Sequence, residues 1–164
     1  MISREQELRA NLERVEANIS RACASAGRNR SEVTLIAVTK FFPAVDVQIL
    51  YNLGHRDFGE NRDHEGAQKS GELPTDARWH FQGQIQGRKI ASIASWANVI
   101  HSLDSYDHAK KFQSVLESEG TVKDFFIQVN LDPGRQDRGG VNPGDLSEFM
   151  DSIHALTSVR TIGV

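Results

Sequence analysis

Val33-Thr34-Leu35-Ile36-Ala37-Val38-Thr39-Lys40, followed at once by Phe41-Phe42-Pro43, is the stretch on which the fold turns. It is a run of apolar and β-branched residues with little alternation, which predicts a central parallel strand covered by helices on both faces. The run ends on a lysine, and Pro43 suits the first position of a helix. A charged amine at the end of a buried strand is costly unless it is solvated, paired or chemically used. Lys40 is therefore the first candidate for chemistry, as a partly buried amine able to form a Schiff base with a carbonyl. Its bland counterpart is a snorkelling lysine or an ion-pair partner.

Upstream, Ser3-Arg4-Glu5-Gln6 has capping-box spacing. Leu8, Leu12, Val15, Ile19, Ala22 and Ala26 then make one apolar stripe on a helix ending near Gly27. Downstream, Ala44, Val47, Leu50 and Tyr51 mark a helix closed by Gly54. Strands are predicted over residues 56–61, 78–83, 99–102 and 123–130, with a sixth beginning at Thr161. Helical patterns separate them: residues 62–70, then Ile85 to Trp96, Tyr106 to Leu116 and Leu146 to Leu156. Strands recurring every 20 to 35 residues or so, with helices between, fit repeated βα units and a parallel sheet. No glycine fingerprint follows the first strand, which counts against a dinucleotide fold. Polar residues at successive strand ends (Lys40, Asn61, His101 or Ser102, Asn130) favour convergence on one barrel mouth instead.

The chain has 164 residues and is 38% hydrophobic, enough for one core. A formal charge of -3 gives no global pull toward nucleic acid or an anionic membrane. No apolar run is long enough to span a bilayer, and the polar, helix-patterned N-terminus does not read as a secretory signal. The single cysteine, Cys23, rules out an internal disulfide and fits a reducing cytoplasm; it reads as a small residue on a helix face.

Asn61 is a second candidate, able to donate and accept hydrogen bonds at the mouth, or else to cap the next helix. His80 lies between Trp79 and Phe81 and alternates away from them. It reads either as a site residue or as a structural histidine satisfied by a backbone carbonyl, and His101 shares that ambiguity. The six histidines show no metal-ligand spacing, so no metal is expected. The loop Asp132 to Gly140, with Arg135 and Arg138, reads as an anion contact or as a solvated loop.

The segments AVTKFFP, DFGEN, RWHFQGQIQGRK, HSLDS and IQVN, in this order and spacing, resemble the pyridoxal phosphate homeostasis protein family, single-domain relatives of the alanine racemase N-terminal barrel. The resemblance runs from about residue 5 to residue 164. It implies a (β/α)8 TIM-barrel-type α/β fold, here with about six of eight βα units and an extra N-terminal helix. On that reading 1–164 is a single incomplete domain, the helix occupying 1–28 and the βα units 33–164. It also implies pyridoxal 5'-phosphate held as an aldimine on Lys40, with Val38, Asn61 and His80 around it and no catalytic acid or base. The implied role is cofactor binding in vitamin B6 and amino-acid homeostasis, without clear turnover, the cofactor passing to apo-enzymes. Two departures stand out. Arg88 replaces the asparagine usual in the segment Gly83 to Lys89. Two further strands and the family's Ser/Gly-rich phosphate loop lie beyond the sixth strand in family members. Open barrel edges of this kind predict self-association. The rival readings are a Schiff-base lyase or aldolase using Lys40, with Glu60 as a candidate proton shuttle, and a non-catalytic interaction module.

Overall fold

The computed structural model describes residues 2–132, 134 and 139–164. It opens with α1 (Arg4–Ser25), started by Ser3, whose hydroxyl accepts from the Gln6 amide while the Gln6 side chain accepts from the Ser3 amide. The stripe of α1 is at most half-buried; only Cys23 is fully enclosed. Arg4 ties this helix to the next with a bidentate contact to Asp46, at 3.1 and 2.6 Å.

Six βα-type strands follow: β1 (Ala37–Val38), β2 (Asp57–Glu60), β3 (Arg78–Phe81), β4 (Val99–Leu103), β5 (Lys123–Ile127) and β6 (Val159–Gly163). Between them run α2 (Ala44–Asn52), α3 (Asp63–Glu72), α4 (Ile90–Trp96), α5 (Tyr106–Ser118) and α6 (Leu146–Ile153). All pairings are parallel, in the order β1-β2-β3-β4-β5-β6. A doubly wound sheet would reverse its strand order partway. Strictly sequential order with helices on one face is a barrel wall, so the α/β barrel-type expectation holds for six units.

Register decides which side chains meet the helices. Phe58 pairs with Trp79, and Phe81 with Ile100 and then Phe125, so these five share one face. There they pack as core: Trp96 meets Trp79 and Phe81 edge-on, and Phe112 meets Phe125 likewise. Asp63 adds a polar tie, its Oδ1 accepting from Ser92 Oγ at 2.8 Å and Trp96 Nε1 at 3.0 Å, which fastens α3 to α4. The opposite face carries Val38, Asp57, His80, His101, Asp124, Phe126 and Arg160.

Two expectations for the opening stretch need correction. Only Ala37–Val38 forms strand, and it is not central: among the described residues β1 pairs with β2 alone, and Val38 is 46% exposed. A strand with one neighbour and one open face buries less than its composition suggests. Pro43 caps α2 from an extended conformation (ψ 156°), and the helix starts at Ala44. The expected anion contact through Arg135 and Arg138 lies outside the described residues.

Candidate functional site

Of the four residues singled out from sequence, Val38 and His80 share one face of the sheet, and Lys40 and Asn61 follow the carboxyl ends of their strands. Val38 pairs with Gly59, and Gly59 with His80, so Val38 and His80 occupy one layer with Gly59 between them. A Cβ at Gly59 would approach Gln82 Oε1 to 2.9 Å and Ile36 Cγ2 to 3.2 Å, so the sheet floor there stays bare. Lys40 and Asn61 follow two residues beyond Val38 and Gly59, at the carboxyl ends of β1 and β2, the end where barrels place ligand-binding residues.

Lys40 was expected partly buried; it is exposed. Among the described residues no hydrogen bond or ion pair engages its amine, and Nζ stands 6.0 Å from the centre of the Phe41 ring. Phe41 itself takes a left-handed backbone with φ 69°, a conformation a bulky side chain rarely adopts. Asn61 is half-buried, and its side-chain Oδ1 is enclosed without a hydrogen-bond partner among the described residues. An enclosed carbonyl oxygen left unpaired is destabilising, and a ligand carrying a hydroxyl or protonated nitrogen would satisfy it.

His80 is buried and both of its ring nitrogens are engaged, by side chains and not by the backbone carbonyl expected. Nε2 lies 3.0 Å from Asp57 Oδ1 and Nδ1 lies 2.9 Å from His101 Nε2. The carboxylate can only accept, so His80 Nε2 donates to it and His80 Nδ1 accepts from His101. The chain Asp57–His80–His101 thus has one direction, and His101 ends it stacked on Phe126 at 4.7 Å. Burial lowers the His80 pKa, offset only in part by the Asp57 contact. Burial, with His80 and Arg78 nearby, pushes His101 down to about 4. Both rings are neutral near pH 7.

Glu60, the proton shuttle that an aldolase reading needed, faces the other way. It lies among the helices, fully buried, with Lys69 Nζ 2.6 Å from its Oε1. Asp57 and Lys69 were not singled out from sequence. The i,i+4 spacing of Glu65 and Lys69 on α3 was the one available signal, and it reads first as a solvated helix pair. Grooves flank the site among the described residues. One of about 400 Å³ is lined by Arg4, Leu8, Val38, Phe42 and Leu50; another of about 550 Å³ is lined by His101, Phe126, Gln128, Leu131 and Leu146. Among the described residues no cluster of three or more His, Cys, Asp or Glu side chains is placed to hold a metal ion. No described helix is long and apolar enough to cross a membrane.

Comparison with known proteins adds a lineage. The profile of the alanine racemase N-terminal domain matches residues 10–164. The pyridoxal phosphate homeostasis protein of Mycobacterium tuberculosis is 34% identical over 181 residues, which cover 98% of this chain and 70% of that protein. Its counterpart in Aquifex aeolicus is 33% identical over 154 residues, covering 93% and 67%. Among solved structures, PipY of Synechococcus elongatus with PLP bound superposes with a TM-score of 0.73 at 31% identity, over 89% of this chain and 68% of that one. An alanine racemase of Clostridium difficile, at 15% identity and a TM-score of 0.71 over 95% of this chain and 38% of that one, shares the fold.

Proposed function

The chain belongs to the alanine racemase N-terminal domain family, and on that premise we propose that it binds pyridoxal 5'-phosphate and serves vitamin B6 and amino-acid homeostasis without catalytic turnover of its own. The observation that carries this reading is the Lys40 amine following the carboxyl end of β1, which no described residue engages by a hydrogen bond or ion pair, together with the Asn61 Oδ1 following β2, unpaired among the described residues.

When bound, the cofactor supplies an aldehyde that is electrophilic toward a primary amine. Lys40 provides that amine. Asn61 presents Oδ1 as an acceptor for a polar ring substituent, and Val38 gives the apolar contact one layer below. His80 has no nitrogen to spare, so its part is the shape and the neutral surface of the floor, fixed by Asp57 and His101. Glu60, the proton shuttle of the lyase or aldolase reading, lies among the helices and is held there by Thr39 and Lys69. That supports a binding role over a lyase or aldolase.

Relatives named for homeostasis of the cofactor support the homeostatic role, and passage of the cofactor to apo-enzymes is part of the same proposal. A single buried cysteine supports a cytoplasmic setting. Self-association through β1 and β6 belongs to the same reading, since each has one strand neighbour among the described residues and Val38, Ile162 and Val164 are exposed beside them.

The test is intact mass after incubation with pyridoxal 5'-phosphate and borohydride reduction, on wild type and Lys40→Ala. One adduct mapped to Lys40 and absent from the variant is the expected result. Adducts scattered equally over surface lysines of both proteins would sink the reading.

A further inference from the structure

Behind Lys40, on the helix side of the sheet, lies a charged cluster that cofactor binding as described leaves unused. Glu60 Oε1 accepts from the Thr39 hydroxyl at 2.7 Å and from Lys69 Nζ at 2.6 Å, while Lys69 Nζ also reaches the Thr39 carbonyl oxygen at 2.9 Å. Glu60 and Lys69 are both buried. One turn earlier on α3, Glu65 Oε2 accepts from the backbone amide of Phe41 at 3.2 Å and lies 3.8 Å from Lys69 Nζ. Its other oxygen takes Arg62 at 3.0 Å. Burial raises the Glu65 pKa, but the Phe41 amide, Arg62 and Lys69 outweigh it and hold the carboxyl below its usual range.

A buried ion pair is a poor way to stabilise a core, because apolar side chains of like volume do as well or better. This one grips backbone. The residue before Lys40 is held at its carbonyl by Lys69, and the residue after it is held at its amide by Glu65. Phe41 carries the left-handed φ of 69° that turns the chain sharply at this point. A conformation of that kind persists only where its surroundings impose it.

We propose that Glu60, Glu65 and Lys69 are positioning residues: α3 clamps Thr39 and Phe41 from behind and so fixes the direction in which Lys40 presents its amine to the cofactor. The inference rests on the cofactor reading above and adds Glu65 and Lys69 on α3 and Glu60 on the helix side of β2.

The clamp is tested at Glu65, which is less enclosed than Glu60 or Lys69 and can be replaced without orphaning a fully buried charge. The rate of borohydride-trapped adduct at Lys40 is read by peptide mapping, with the exposed Lys110 as internal control. Glu65→Ala should slow Lys40 about tenfold and leave Lys110 unchanged. Glu65→Gln keeps an acceptor for the Phe41 amide and should keep most of the rate. Phe41→Gly in the Glu65→Ala background should recover the rate, because glycine adopts positive φ without help. A folded Glu65→Ala protein with an unchanged Lys40 rate overturns the clamp, and so does a loss that neither Gln nor Gly restores. Hydrogen exchange at the Phe41 amide, read without cofactor, keeps the two proposals apart. If wild type forms no Lys40 adduct, the cofactor reading falls. The clamp then stands if that amide exchanges about tenfold faster in Glu65→Ala, and is overturned if the two rates are equal.

Discussion

His101 is the residue at which acid should first be felt. Its imidazole pKa is pushed down to about 4 by burial, with His80 and Arg78 adding to it, against about 6.5 in an unfolded chain. The unfolded state therefore takes up a proton as pH falls below 6.5, and the folded state does not until pH nears 4. Stability is fully present above that window and is lost as pH descends through it. The residue is partly exposed, so screening discounts the effect to about 1 kcal/mol. His101→Gln keeps a donor for His80 and loses the titration; thermal melts between pH 7 and 4.5 should show a shallower decline than wild type. An equal slope in both would put the acid sensitivity elsewhere. At this scale the sequence was informative about types and silent about partners. Lys40, Asn61 and His80 stood out because a lysine and an asparagine at the ends of apolar strands, and a histidine between two aromatic residues within one, are out of place there. Asp57 was not, since nothing in its position says that it will face His80 23 residues later.

The strand and helix elements were read from periodicity, and all six strands appear close to where alternation or apolar runs put them. The miss is instructive: Val33 to Thr39 has the composition of a fully buried strand, yet only Ala37–Val38 pairs. Composition reports what a segment can bury, whereas the number of strand neighbours decides what it does bury. Helix contacts were less legible still. Gly66 looks like a weak point in α3, but a Cβ there would lie 2.4 Å from two ring atoms of Trp96. The absent side chain is what lets α3 and α4 close, with Asp63 bonding Ser92 and Trp96 across the same seam. Gly66→Ala gains helix propensity but forces two packed elements apart, and should destabilise by about 2 kcal/mol. Denaturant melts would check this, and a stabilised variant would show that the Trp96 ring can move aside freely.

As a whole molecule, the sheet has one face packed with aromatic and aliphatic side chains and another where Val38 and Ile162 are 46% and 44% exposed. Sedimentation should show concentration-dependent association, which Ile162→Lys should weaken by placing a charge on β6 itself. A monodisperse monomer at high concentration would refute it. Strand order carries a different consequence. Every strand lies next to the one that precedes it in sequence, about 20 to 36 residues earlier. Each ring closure is therefore short and of similar entropic cost. A nascent chain leaving the ribosome would find the docking partner of each new βα unit already made, and the sheet can grow in the order of its synthesis.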